Sequence, residues 1–372
     1  MVSTCGMKPS SHTSRIPGLD IVRGFALFGV LVVNISGYLG ANPTKADICA
    51  RVVKELFFSN KFWPIFSLLF GIGVGLQLAS GLTWIRHLRR MAGLFLFGLI
   101  LLVFFDGNQI LVRYSILGCV VYLFRHASQR WLLFLAGTFL ILASFDQPLC
   151  EAFGISLHGV DGRATFLDSV RSNFAGTAAG LASPAYYLMR MNEILAMFIF
   201  GLYVAKSNLL RSSTPPTERR WLQQAQWLGL ALGLMGTLWH QFRDLSPAND
   251  GLVSKGVGRL IMLLSNDAMA IGYAATVFRL AGQLTWLAPA GRMALTNFLS
   301  QWAILRLLFD PLFLGMQRKH GHLFGVALSM AIFAAQVLWS RWWFHRFEHG
   351  PVEWLWRRIE GKDSLRDGAL VK

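Results

Sequence analysis

Apolar residues run in blocks along this chain, each closed by a short polar stretch, and the blocks recur about every 35 residues. A bilayer core of ~30 Å takes about 20 apolar residues per helix, so the pattern predicts roughly ten membrane-spanning helices, within a range of about 8 to 11. They fall near 20–40, 62–80, 88–105, 110–124, 130–146, 188–205, 221–240, 257–280, 290–314 and 322–344. The predicted fold class is all-α, a polytopic integral membrane helical bundle. Residues 1–19 form an N-terminal segment, 20–345 the transmembrane domain with an outer loop at about 147–187, and 346–372 a basic tail. The first segment lacks the apolar core of a cleaved signal.

Composition supports this reading. The chain has 372 residues with 35 Lys plus Arg against 19 Asp plus Glu, a net charge of +16, yet 54% are hydrophobic and 15% charged. A nucleic-acid-binding protein of that net charge is usually charge-rich and aromatic-poor, whereas this one has 29 Phe, 13 Trp and a mean hydropathy of +0.47. Nucleic acid is therefore not an expected partner. Short loops rich in Lys and Arg stay cytoplasmic. Arg86, Arg89 and Arg90, then Arg125 and Arg130, then Lys206, Arg219 and Arg220, all fall inside if both termini are cytoplasmic. Lys45, Arg51, Lys54 and Lys61, in the first outer loop, are the exception. The charge reads as a topology signal plus attraction to anionic lipid head groups.

Polar residues inside the spans carry the functional information, because each is costly unless paired or facing a cavity. At 100° per residue, Arg23 and Asn34 lie about 60° and 40° from Asp20, so all three share one face of the first helix. Gln77 is a lone amide in the second span. There, Gly71 and Gly75 have the small-xxx-small spacing of tightly packed membrane helices, and no strand precedes them as a nucleotide-binding glycine loop requires. The sequence FFDGNQILVRY predicts a tight outer-side turn whose Asp106, Gln109 and Arg113 would meet the end of the Asn34 face, either lining a cavity or as a solvated turn. Asp267, in mid-span, lies about 80° round its helix from Arg259 and wants a partner on another helix, such as Arg292 or Arg23. Asn297 and Gln301, one turn apart, suit either bonding between helices or a polar substrate, with Arg292 on nearly the opposite face.

No GxSxG elbow, HExxH pair or Walker loop occurs, and no metal site is expected. His345 and His349 sit among aromatic residues at a helix end and read as interfacial belt residues. The four cysteines form no CxxC pair; Cys49 and Cys150 both face outward, as two inert thiols or as a disulfide.

Four motifs in order, RxxGLDIVRGFALFGVLVVNI, FFSNKFWPIFSLLFGIGVGLQL, GRMALTNFLSQ and FEHGPVEWLWRRI, resemble the YeiB family of bacterial inner-membrane proteins, also called domain of unknown function 418, across about 15–360. The first-helix pattern of Asp20, Arg23, Gly24 and Asn34 is similar to the start of membrane acyltransferases of the acyltransferase-3 and heparan-glucosaminide N-acetyltransferase type. That resemblance implies transfer of an acyl group from a cytoplasmic donor such as acyl-CoA, a co-substrate with no bound cofactor, to a hydroxyl or amine of a small-molecule or lipid-linked acceptor. Asp20, Arg23 and Asn34 would orient the donor. Gln77, Gln109, Arg113, Asp267, Arg292, Asn297 and Gln301 would bind substrate. The chain departs from the pattern at Leu101 and Gln109, where the family tends to have His and Asp, and the loop 41–61 has no His. Leu and amides cannot serve as a general base, so either Asp106 has taken over that role or the protein does not transfer acyl groups by that route. The alternative is a transporter or exporter in which the same residues line a path. A structural membrane protein without turnover is the third reading. Oligomeric state is not legible.

Overall fold

A computed structural model describes residues 16–40, 44–105, 110–152, 170, 171, 174, 191–207, 209–211, 215–244 and 252–361. Among these residues the structure is all helical, with no strand. The helices are α1 (Pro17–Ile35), α2 (Lys45–Phe57), α3 (Phe62–Ala79), α4 (Trp84–Phe104), α5 (Ile110–Leu123), α6 (Gln129–Ala152) and α7 (Asn192–Lys206). They continue as α8 (Arg220–Asp244), α9 (Leu252–Arg279), the short α10 (Ala288–Arg292), α11 (Ala294–Phe309), α12 (His322–Phe344) and α13 (Pro351–Glu360).

Every predicted apolar block contains a helix. Six helical stretches among the described residues, 17–38, 45–79, 84–104, 129–149, 253–279 and 322–344, are long and apolar enough to cross a membrane, against the ten expected. The difference has two physical sources. The helices α5, α7 and α11 have 14, 15 and 16 residues, short of a bilayer core at 1.5 Å per residue. The longer α8 is diluted by Gln223, Gln224, Gln226, His240 and Gln241.

Two helices lie where the sequence reading placed a loop and a tail. In α2, Thr44 and Asp47 form a reciprocal capping box at the N-terminus. In α13, Pro351 occupies the first turn and Gly361, at φ 79°, ends the helix in the left-handed conformation open to glycine. Both are amphipathic, so their polar faces hide them from a search for apolar runs. The expected outer loop begins later than predicted, because α6 continues through Pro148 to Ala152; most of 153–190 lies outside the described residues.

The centre of the bundle is α1, buried at Leu27, Leu31 and Ala26 and packed by α3, α9, α10, α11 and α12. Glycine brings the backbones together. A Cβ on Gly71 would collide with the Phe198 carbonyl oxygen, and one on Gly75 with Ala205 and Leu202, so α3 and α7 run in parallel with almost no side chain between them. The packing reading of the Gly71–Gly75 pair accounts for this contact. Gly291 does the same for α10 against the Asp20 carbonyl of α1.

Candidate functional site

The face of α1 bearing Asp20, Arg23 and Asn34 opens on a cavity of about 1100 Å³. Its lining recurs along α1 from Ile16 to Asn34 and along α3 from Phe62 to Ser80. Eighteen residues of helix span about 27 Å, so the cavity extends through most of a bilayer's thickness. One end is bounded by the start of α1, the end of α3, the start of α4, and α13. The other meets Asn34, Asn60, Trp63 and Arg113.

The first end is rich in arginine. Arg23 Nη1 donates to Asp20 Oδ1 at 2.9 Å and reaches past Gly73, whose missing side chain leaves it room. Arg90 lies over the Trp356 ring at 4.5 Å, and Trp356 Nε1 donates to the Arg90 carbonyl at 2.8 Å. Arg23, Arg86 and Arg357 all lie within electrostatic range of Arg90, with Glu360 as the opposing charge. Glu360 itself pairs with Arg86 at 3.3 Å. Arg292 stacks on Phe344 at 3.8 Å and donates to the Glu348 carbonyl at 3.2 Å.

The helix α13 closes this end. Glu353 accepts from the backbone N–H groups of Leu295 and Thr296 at 2.7 and 3.0 Å and from Thr296 Oγ1 at 2.5 Å, capping the start of α11 from outside. Burial pushes the Glu353 carboxyl above the usual carboxylate range, against the opposing pull of these hydrogen bonds.

A second polar group lies on the wall made by α6, α7 and α9. Asp146 accepts from Asn192 Nδ2 at 2.7 Å, and Arg259 Nη1 donates to Gln147 Oε1 at 2.6 Å. Asp146, Glu193, Arg259 and Asn266 line the cavity, and Glu193 is within electrostatic range of Asp146, Arg259 and Asp267. Asp267 is buried behind them, 5% exposed, and neither of its carboxylate oxygens accepts a hydrogen bond from a described residue.

The structure therefore brings Asp20, Arg23, Asn34, Gln77, Arg113 and Arg292 to one cavity. Asp106 and Gln109 lie outside the described residues. The expected pairing of Asp267 with Arg23 or Arg292 is not present: Arg23 is held by Asp20 and Arg292 by Phe344 and Glu348, and the charged neighbour of Asp267 is Glu193.

Asn297 and Gln301 do not line the cavity. Asn297 Nδ2 donates to the Ala290 carbonyl and Ser340 Oγ at 3.1 and 3.0 Å, and Gln301 Nε2 to Gln336 Oε1 at 3.0 Å, so both tie helices together. Cys49 is a free, exposed thiol. Asp146, Glu193 and Glu353 were not singled out in the sequence, because each stands near a helix end where a charged residue reads as solvated.

These features define a polytopic all-α membrane protein built round a charged cavity. Residues 204–362 match the family described as "Protein of unknown function (DUF418)". The chain is 29% identical to "Uncharacterized protein YeiB" of Escherichia coli (strain K12), covering 92% of this chain and 95% of YeiB. It is 27% identical to "Uncharacterized protein YxaH" of Bacillus subtilis (strain 168), over 94% and 95%. The chain is thus similar to YeiB and YxaH over most of its length, and to the DUF418 family over residues 204–362.

Proposed function

We propose that the protein is a membrane-bound enzyme of the acyltransferase type, moving an acyl group from an anionic cytoplasmic donor such as acyl-CoA to a hydroxyl or amine of an envelope or secondary-metabolite acceptor. The observation that carries this reading is one continuous cavity reaching from an arginine-lined end to the Asn34 end. Its volume of about 1100 Å³ lies just above the range of about 300–1000 Å³ usual for small-molecule sites, room for a donor and part of an acceptor together. Arg23, Arg90, Arg292 and Arg357 suit the phosphates of such a donor, since the guanidinium fork matches their oxygens. The Lys and Arg bias of the loops assigns this end to the cytoplasm, in a bacterial inner membrane with both termini inside.

In the transfer step the acceptor oxygen or nitrogen bonds to the thioester carbon and the carbon–sulfur bond breaks. The acceptor's proton passes to a base, and the thiolate leaves and takes up a proton. Asp106, four residues before the cavity-lining Ile110, is the candidate base, and the amide of Asn34, which lines the cavity, would donate to the developing oxyanion. Purified protein given radiolabelled acetyl-CoA and envelope extract is expected to transfer label. Arg90→Gln should raise the donor KM about tenfold, and Asp106→Asn should lower kcat about 100-fold or more. No transfer by the wild type, or transfer unchanged in both variants, overturns the proposal.

The buried Asp267 favours a second reading, a proton-coupled transporter using the same cavity as its path. Gradient-driven uptake or efflux that vanishes in Asp267→Asn supports it; uptake that persists in that variant removes it.

A further inference from the structure

We infer that Arg23, Arg90 and Gln77 form a binding site for a phosphate monoester, the two guanidiniums taking the phosphoryl oxygens and the Gln77 amide an adjoining hydroxyl. All three side chains line the cavity. Among the described residues, none accepts a hydrogen bond from the Arg90 guanidinium, and its Nε is buried without a partner. Trp356 covers one face of that guanidinium at 4.5 Å and is fixed in turn by its own bond to the Arg90 carbonyl, at 2.8 Å. Stacking occupies the face of the guanidinium and leaves its N–H groups, which point outward in the plane, open to an oxyanion. Glu360, the acid within electrostatic range, pairs instead with Arg86 at 3.3 Å. Arg23 commits Nη1 to Asp20, and its Nε and Nη2 donate to no described residue.

The third group comes from α3. A Cβ on Gly73 would lie 4.0 Å from Arg23 Nη2, so the guanidinium rests against this turn of the helix. Gln77 follows four residues later on the same face, and its Oε1 is buried without a donor. Arg23 and Arg90 lie within electrostatic range of each other, and two like charges in a membrane-embedded cavity are best tolerated with an anion between them. Of the neighbouring arginines, Arg86 is engaged by Glu360 and Arg292 by Phe344 and the Glu348 carbonyl. A phosphate monoester carries a charge of about −1.5 to −2 near neutral pH and three acceptor oxygens, enough to serve two guanidiniums at once, whereas a carboxylate has two oxygens and a single charge. An amide oxygen can only accept, so the group beside the phosphate must donate, and a hydroxyl does so. The same chemistry comes with a soluble phosphate ester or with a lipid headgroup. That the ester belongs to the acyl donor rests on the group-transfer proposal; its binding does not.

The test is calorimetric binding of α-glycerophosphate to the purified protein in detergent, without any acyl donor, beside methyl phosphate, acetate and glycerol. Both phosphate esters are expected to bind and to raise the thermal unfolding midpoint, where acetate and glycerol do not. Arg90→Gln should weaken both esters about tenfold or more, and Arg90→Lys, which keeps the charge but loses the fork, by about threefold or more. Gln77→Leu should weaken α-glycerophosphate about fivefold and leave methyl phosphate, which has no hydroxyl, unchanged. If Arg90→Gln fails to fold, Arg90→Lys and Gln77→Leu decide. Equal binding by the wild type and the Arg90 variants, or acetate bound as tightly as methyl phosphate, would overturn the site. Gln77→Leu acting alike on both esters would overturn the hydroxyl assignment. Lysophosphatidic acid in mixed micelles carries the same ester and hydroxyl on a lipid: tighter binding than α-glycerophosphate, lost in Arg90→Gln, assigns the site to a lipid headgroup, and weaker binding assigns it to a soluble ester. Binding of α-glycerophosphate without label transfer would remove the enzyme proposal alone, and label transfer without that binding would remove this one alone.

Discussion

Two groups of buried polar side chains sit in this bundle, and they differ in how their hydrogen bonds close. Asn297, Gln301 and Gln336 satisfy one another across α11 and α12: Gln336 Nε2 donates to the Asn297 carbonyl at 2.9 Å and to Ser300 Oγ at 2.8 Å, while its Oε1 accepts from Gln301. Of these amide atoms, Gln301 Oε1 is buried without a donor. On the wall made by α6, α7 and α9, Asp146 and Glu193 line the cavity and Asp267 is buried behind them, with both oxygens unpaired among the described residues. Neutral amides can supply both halves of a hydrogen bond to each other, whereas carboxylates can only accept. The amide network, closed but for Gln301 Oε1, is therefore an end in itself, a clasp between helices. Asp267, left open, needs a proton or a partner brought to it, which is the physical ground for reading one group as architecture and the other as a candidate site.

The strongest test of this contrast removes the hub of the clasp. Gln336→Leu keeps the side chain's bulk and deletes three hydrogen bonds, which at ~0.6 kcal/mol each within a membrane should cost about 2 kcal/mol. Unfolding in mixed micelles measures it, and the shape of the cavity should not change. A loss well below that would mean the network is not what joins α11 to α12. On the other wall the sign should reverse. Asp267→Asn replaces a buried carboxyl that has no hydrogen-bond partner among the described residues and is expected to stabilise the protein by about 1 kcal/mol while weakening its function. Destabilisation by Asp267→Asn would show that the carboxylate is held as tightly as the amides, and the contrast would fail.

How much of this was legible in the sequence follows the same division. Apolar runs located the long helices, because a helix in lipid must be apolar throughout. They passed over α2 and α13, whose charged faces dilute the signal. The turn angle of the helix put Asp20, Arg23 and Asn34 on one face, and all three line the cavity. Spacing along a single helix could not choose between two fates for Asn297 and Gln301, since the deciding residue, Gln336, lies on another helix. It also could not find the acidic wall. Asp146 and Glu193 stand 47 residues apart at the edges of a polar interval, where a charge costs nothing to explain, and only the meeting of α6 and α7 gives them a shared purpose.

Glu353 lies between the two kinds of group and sharpens the comparison most finely. It is a carboxylate, yet three donors at the start of α11 saturate it as the amides saturate each other. Burial nevertheless holds its carboxyl above the usual range, so the neutral form is favoured more in the folded than in the unfolded chain. The stability that this preference contributes is fully present below the unfolded value of 4.5 and is lost as pH rises through the raised folded value. Glu353→Gln does not titrate. The stability of the wild type relative to Glu353→Gln should therefore be greatest near about pH 4 and fall as pH rises toward about 8. Disulfide trapping of α13 against α4 through Arg86→Cys and Glu360→Cys should become less efficient over the same interval, after correction for thiol ionisation measured on a free peptide. A relative stability that stays flat, or that climbs with pH, would show that the three donors outweigh burial and that Glu353 belongs with the clasp.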